Sequence, residues 1–190
     1  GGDKATVTQV EKKRKQRVAA APFTTSTLQQ EAVRKLGFTT DRAMKVAQQL
    51  YEGIDIGGET TGLITYMRTD SVNLAQEAIE EIRTYIPSNF DADYLPKAAL
   101  SHKNKSKNAQ EAHEAIRPTS ILRSPQEVRQ HLSAEQIKLY EMIWKRTLAC
   151  QMSAAKFDTV SLDLAVASDE NLFRATGQTM VFPGYIAVYQ

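Results

Sequence analysis

Tyr66 and Arg68 stand two residues apart in the stretch Gly62-Leu63-Ile64-Thr65-Tyr66-Met67-Arg68-Thr69-Asp70-Ser71. On an extended backbone that spacing puts both side chains on one face. A phenol beside a guanidinium suits phosphoryl transfer. The phenol oxygen attacks phosphorus, and the guanidinium holds the non-bridging oxygens as charge builds on them. A free phenol has a pKa of about 10, so the attack needs help with its proton. Taken alone, Tyr-x-Arg reads as a tyrosine packed in a sheet, and Asp70 and Ser71 read as helix caps.

Three further stretches carry polar groups of the right kind. In Gln110-Glu111-Ala112-His113-Glu114-Ala115-Ile116-Arg117-Pro118, His113 and Arg117 are four apart, and one helical turn would put them on one face. Histidine moves protons near neutral pH, and Arg117 offers a phosphate contact. The second histidine of a His-Glu-x-x-His zinc motif is missing, so the stretch does not read as a metal site. In Pro22-Phe23-Thr24-Thr25-Ser26-Thr27-Leu28-Gln29-Gln30, Thr25, Ser26 and Thr27 offer hydroxyls to a phosphate at the start of a helix, or else serve as caps. Glu52 closes another helix and could accept or relay a proton, or simply carry surface charge.

Elements must position these groups. The apolar spacing predicts helices from about Leu28 to Leu36, Ala43 to Tyr51 and Asn73 to Ile86. Ser26 with Gln29, or Thr27 with Gln30, offers a capping box for the first, and Gly37 stops it. Gly53 ends the second, and Pro87 stops the third. Thr60 to Met67 reads as a short strand, and residues 88–109 as a long polar loop of the kind that often carries function. A short helix is expected over Glu111 to Ile116. Ser124-Pro125 opens another helix, and Ser133 with Gln136 opens the last, with Ile137, Tyr140, Trp144, Thr147 and Leu148 inward.

At the two ends the pattern turns to strand. Ala5 to Val10 is rich in β-branched residues. Val160, Leu162, Leu164 and Val166 alternate with Thr159, Ser161, Asp163 and Ala165, which predicts a half-buried strand. Ser168 to Asn171 reads as a turn. Leu172 to Thr176 and Met180 to Phe182 are expected as two further strands. A helical domain inserted in a β unit, with both ends of the chain building that unit, is the simplest architecture.

Composition narrows the class. The 190 residues hold 24 basic and 22 acidic side chains, a net charge of +2, so total charge points neither toward nucleic acid nor away from it. The distribution is uneven. Lys4, Lys12, Lys13, Arg14, Lys15 and Arg17 cluster in one stretch, and Lys97, Lys103, Lys105 and Lys107 in another. Such clusters can engage phosphates or can be solvated surface. One cysteine, Cys150, excludes an internal disulfide and a cysteine-based zinc site. No apolar run reaches the ~20 residues of a membrane span, and the cationic first twenty residues do not read as a secretory signal. A cytoplasmic setting is expected.

Five blocks taken together, PFTTSTLQQ (22–30), QQLYE (48–52), GLITYMRTDS (62–71), QEAHEAIRP (110–118) and WKRTLACQMSA (144–154), closely resemble the bacterial type IA DNA topoisomerases. The resemblance implies an ATP-independent isomerase that relaxes negatively supercoiled DNA through a transient 5′-phosphotyrosine. It implies that Tyr66 is the nucleophile, Arg68 holds the scissile phosphate, His113 aids cleavage, and Glu52 is an acidic neighbour of the tyrosine. Thr25, Ser26, Thr27, Gln48, Thr65, Thr69 and Arg117 are the expected DNA contacts. The implied fold is multidomain α and β. A mostly helical, winged-helix-like tyrosine domain (21–153) is inserted in part of a β-rich arch domain (1–20 and 154–190).

The family's Mg²⁺ ligands lie on a toprim domain, and no Asp-x-Asp-x-Glu run occurs here. Zinc ribbons are also missing. The chain therefore resembles a central fragment, expected to hold no cofactor of its own and to be inactive alone. Its expected partners are single-stranded segments of DNA and the missing domains of the same polypeptide, in a nucleoid-associated monomer with no membrane contact. A tyrosine-dependent nickase or recombinase would need a histidine cluster or a spread Arg-His-Arg set that His102, His113 and His131 do not form. A non-catalytic helical nucleic-acid-binding module is the remaining alternative.

Overall fold

Helix α5, Ala134–Ala149, is the most buried element and sets the core. Its start is the expected capping box: the Ser133 hydroxyl accepts the Gln136 amide, and the Gln136 side chain accepts the Ser133 amide. Ile137, Tyr140, Trp144, Thr147 and Leu148 are all buried, as the spacing requires. The computed structural model describes residues 4–104, 113–166 and 172–190.

Among the described residues, four more helices contribute to the same core. They are α1 (Thr25–Glu31), α2 (Thr40–Glu52), α3 (Gln76–Asn89) and α4 (Pro125–Val128). α1 runs on into a wider π-type segment, Ala32–Leu36, which Gly37 ends in the left-handed region at φ 67°. Its capping box is Thr24 with Thr27, not Ser26 with Gln29 or Thr27 with Gln30: the helix starts two to three residues earlier than expected. α4 has Ser124 as its cap and Pro125 at its first turn. Leu28, Leu50, Ile82, Ile86, Leu139, Tyr140, Ile143 and Leu148 fill the core between the helices.

α3 differs from its expected bounds at both ends. It starts at Gln76, because Ala75 has a non-helical ψ of 147° and its amide donates to the Glu114 carboxylate at 2.6 Å. It runs through Pro87 to Asn89. Near the last turn the missing proline N–H forfeits a single helical bond, and Phe90 N–H still reaches the Ile86 carbonyl at 2.8 Å.

The strands of the chain's two ends pair. β1 (Ala5–Arg17) lies antiparallel to β4 (Ala155–Val166), and β4 to β5 (Leu172–Phe182), in the order β1-β4-β5. β1 is longer than its β-branched part, since Lys12 to Arg17 continue the ladder. β5 is one strand, not two. The inward parity of β4 also differs from the expected one. Ala155, Phe157 and Thr159 are buried, while Val160 is exposed. Burial is confined to the start of the strand, and Ser161 to Val166 are all half-buried, so the alternation of Val160, Leu162 and Leu164 does not mark the buried face. The expected turn over Ser168 to Asn171 lies outside the described residues.

Candidate active site

The segment carrying Tyr66 is irregular rather than a strand. After a two-residue ladder of β2 (Ile54–Asp55) with β3 (Thr60–Thr61), only Ile64 makes a bridge, to Pro118. Leu63 and Ile64 are both buried. Met67 is buried, while Tyr66 and Arg68 on either side are exposed, Tyr66 at 51%. Both side chains are thus open to solvent, although the chain bends at Met67 and is not the extended strand the two-residue spacing assumes. Among the described residues, the side chains of Tyr66, Arg68 and His113 have no hydrogen-bond partner.

Three chain segments hold this surface, each bonded to the other two. The Thr25 hydroxyl donates to the Met67 carbonyl at 2.7 Å and accepts the Thr69 amide at 2.8 Å, while the Thr25 amide donates to the Thr69 carbonyl at 2.9 Å. The Ile116 amide donates to the Phe23 carbonyl at 2.9 Å. The Thr65 hydroxyl donates to the Ala115 carbonyl at 2.7 Å and accepts the Arg117 amide at 3.0 Å. The Thr65 amide donates to the Arg117 carbonyl at 2.9 Å.

The helix expected over Glu111 to Ile116 is not formed at its described end. His113 to Ala115 are not helical, and Ile116 and Pro118 bridge to Phe23 and Ile64. The part before His113 lies outside the described residues. Two forces explain this. Pro118 disfavours the helical region at Arg117, and the long-range bridges satisfy the backbone groups a helix would have used. His113 and Arg117 therefore do not share a helical face. His113 is exposed, whereas Arg117 is half-buried and turned to Glu114, with Nε to Oε1 at 2.9 Å and Nη2 to Oε2 at 3.0 Å. A third bond runs from Nη1 to the Pro118 carbonyl.

The other expected contacts fall into two groups. Thr25, Thr65 and Thr69 are internal fasteners in this structure; the Thr69 hydroxyl accepts the Ser71 amide at 3.0 Å. Thr27 completes the cap of α1. Ser26 is exposed, with its hydroxyl accepting from the Gln30 amide at 3.2 Å. Gln48 donates to Glu52 at 2.8 Å, which steadies that carboxylate at the end of α2.

Two contributors carried no local signal. Tyr51 meets Tyr66 edge-on, with ring centroids 5.3 Å apart, so the last turn of α2 forms a ledge beneath the tyrosine. Gly62 lets the chain pass that turn closely: a Cβ there would stand 2.8 Å from the Tyr51 carbonyl. Glu114 was readable only as Arg117's neighbour three residues away.

A cleft of about 790 Å³ lies alongside, lined by Pro22, Ser26, Gln29, Asp70, Lys103 and Arg146 among others. Among the described residues, no three His, Cys, Asp or Glu side chains converge as a metal ion would need. No helix among them is long and apolar enough to cross a membrane. Cys150 is buried at the end of α5, and burial pushes its thiol up to about 12, which leaves it no thiolate chemistry at neutral pH.

A family model described as DNA topoisomerase matches residues 1–190. The chain is 56% identical over 185 residues to DNA topoisomerase 1 of Xylella fastidiosa, covering 97% of this chain and 23% of that protein. It is 52% identical over 184 residues to DNA topoisomerase 1 of Rickettsia bellii, again covering 97% and 23%. The fold is similar to full-length topoisomerase I from Thermotoga maritima, with a TM-score of 0.87 and 38% identity over 99% of this chain and 30% of that one. The chain thus spans about a quarter of the length of such relatives.

Proposed function

Because the chain belongs to the type IA DNA topoisomerase family, we propose that it is the tyrosine-bearing segment of an enzyme that relaxes negatively supercoiled DNA without ATP. The exposure of Tyr66 and Arg68 on either side of buried Met67 carries this reading. The Tyr66 oxygen attacks the phosphorus of one strand, the bond to the 3′ oxygen breaks, and a 5′-phosphotyrosine forms. The phenol proton passes to a nearby base, and the 3′ oxygen receives a proton as it leaves. Arg68 holds the non-bridging oxygens, where charge grows in the transition state. His113 and Glu52 are the groups on this chain suited to the proton steps.

Reversal reseals the strand after the intact one has passed. The covalent bond conserves the energy of the broken one, so no nucleotide is consumed. The substrate is an unpaired segment, because the nucleophile must reach a single backbone. Residues 21–153 form the winged-helix-like tyrosine domain, and residues 1–20 and 154–190 part of the arch. A Mg²⁺ ion would be held by toprim residues outside this chain, and the chain alone is inactive. The enzyme works as a cytoplasmic, nucleoid-associated monomer.

The test joins this chain to a toprim-bearing piece of such an enzyme, with Mg²⁺ and end-labelled single-stranded DNA. An adduct on the 5′ phosphate that Tyr66→Phe abolishes is the expected result. An adduct that survives Tyr66→Phe overturns the assignment. So does DNA binding with no adduct in full-length enzyme.

A further inference from the structure

The geometry points to Thr25 as the positioning residue for Arg68, a role that rests on the proposed cleavage reaction. One hydroxyl brackets the arginine. It donates to the carbonyl of the residue before, Met67, and accepts from the amide of the residue after, Thr69. The Thr25 amide adds a bond to the Thr69 carbonyl. Residue 68 therefore hangs between two backbone groups fixed to the same side chain.

The anchor is itself rigid. Thr25 opens α1, whose Leu28 is fully buried, and it follows Phe23, also fully buried and bonded to Ile116. Arg68, by contrast, is exposed and makes no side-chain bond among the described residues. A long side chain without partners samples many rotamers, so its aim depends on the direction in which its Cα–Cβ bond leaves the backbone. Thr25 fixes that direction. Transition-state stabilisation by a guanidinium depends on placement to within a fraction of an ångström, so loosening the backbone weakens the chemical step rather than binding.

Sequence alone suggests another job for this hydroxyl, a direct bond to DNA phosphate. The two jobs separate experimentally. In full-length enzyme carrying this segment, Thr25→Val removes both side-chain bonds and keeps the shape, whereas Thr25→Ser keeps both. Three quantities are read: single-turnover adduct formation at saturating labelled single-stranded DNA, the Kd for that DNA, and amide hydrogen exchange at Thr69.

Thr25→Val is expected to slow adduct formation roughly tenfold, to leave Kd within about twofold, and to speed Thr69 exchange. Thr25→Ser is expected to restore all three to near wild type. An unchanged adduct rate with faster Thr69 exchange overturns the positioning role while leaving the Tyr66 assignment intact. A loss that appears as weaker Kd at unchanged saturated rate makes Thr25 a DNA contact instead. A Ser variant as slow as Val reduces the effect to general packing and also overturns the proposal. Wild-type enzyme with no Tyr66-dependent adduct overturns the underlying reaction, a result distinct from all of these.

Discussion

Glu114 and Arg117 lock together through two parallel bonds of 2.9 and 3.0 Å, and the same carboxylate caps α3 through the Ala75 amide. One side chain thus joins the His113 segment to a helix that begins almost forty residues earlier. Both partners are largely shielded from water, with side-chain exposures of 29% for Glu114 and 15% for Arg117. Charge-assisted bonds in such settings contribute about 1.5–3 kcal/mol. Glu114→Gln should lower stability by about 2 kcal/mol in denaturant titration. It should also speed amide exchange in the first turn of α3 more than in α5.

Thr65→Val should cost about 1–3 kcal/mol, because it leaves the Ala115 carbonyl and the Arg117 amide without their side-chain partner. In full-length enzyme the adduct rate should fall as well, since Tyr66 is the next residue. Thr65→Ser should recover most of both losses. Denaturant midpoints and single-turnover rates check the two halves separately.

Gly62→Ala tests the ledge under Tyr66. The added methyl would meet the Tyr51 carbonyl at 2.8 Å, backbone that cannot turn aside. Overpacking of this kind costs about 1–3 kcal/mol. The displaced turn carries Tyr51 away from Tyr66, so adduct formation should fall by more than the unfolded fraction accounts for. Comparing the rate with the folded population from circular dichroism checks it.

His102 gives a pH dependence. Burial holds its imidazole below the usual 6.5, a hydrogen bond that the ring donates to the Ala19 backbone carbonyl pulls the other way, and Arg146 adds to the depression. The unfolded chain then binds the proton more readily than the folded one. The stability that His102 contributes by staying neutral is whole above pH 6.5 and is lost as pH falls through its lowered folded value. Melting temperature should drop between pH 7.5 and 5 in the wild type, and His102→Asn should flatten that slope.

Much of the local chemistry was legible, though the α1 capping box was placed too late and Pro87 did not stop α3. Ser133 with Gln136, Ser124 before Pro125, and the stops at Gly37 and Gly53 all read correctly, because caps and left-handed turns are decided by neighbours. Strand parity did not decide the exposure of Tyr66 and Arg68, because the chain bends between them at Met67. What failed were places where a distant partner decides. Thr25 and Thr69 lie 44 residues apart, and nothing in either stretch shows that they would bind each other rather than a ligand. The four-residue spacing of His113 and Arg117 mimicked a helix until Pro118 and the bridge to Phe23 are counted. β4 misled for another reason: alternation gives two faces but does not say which one the helices cover.

The sheet also has a mechanical meaning. β4 has 12 residues, about 40 Å of ribbon at 3.3 Å each, and only its root around Ala155 to Thr159 is packed on the helices. That root is clamped. Ser153 bonds the Tyr94 carbonyl, Tyr185 bonds Ser153, and Gly184 lies so close to the Ser153 and Ala154 carbonyls that no Cβ fits. A ribbon fixed at one end is a cantilever: a tilt of roughly 10° at the root swings the far end by about 7 Å for a ribbon of that length. A movement too small to break the clamp would therefore be magnified into a displacement wider than a β-strand.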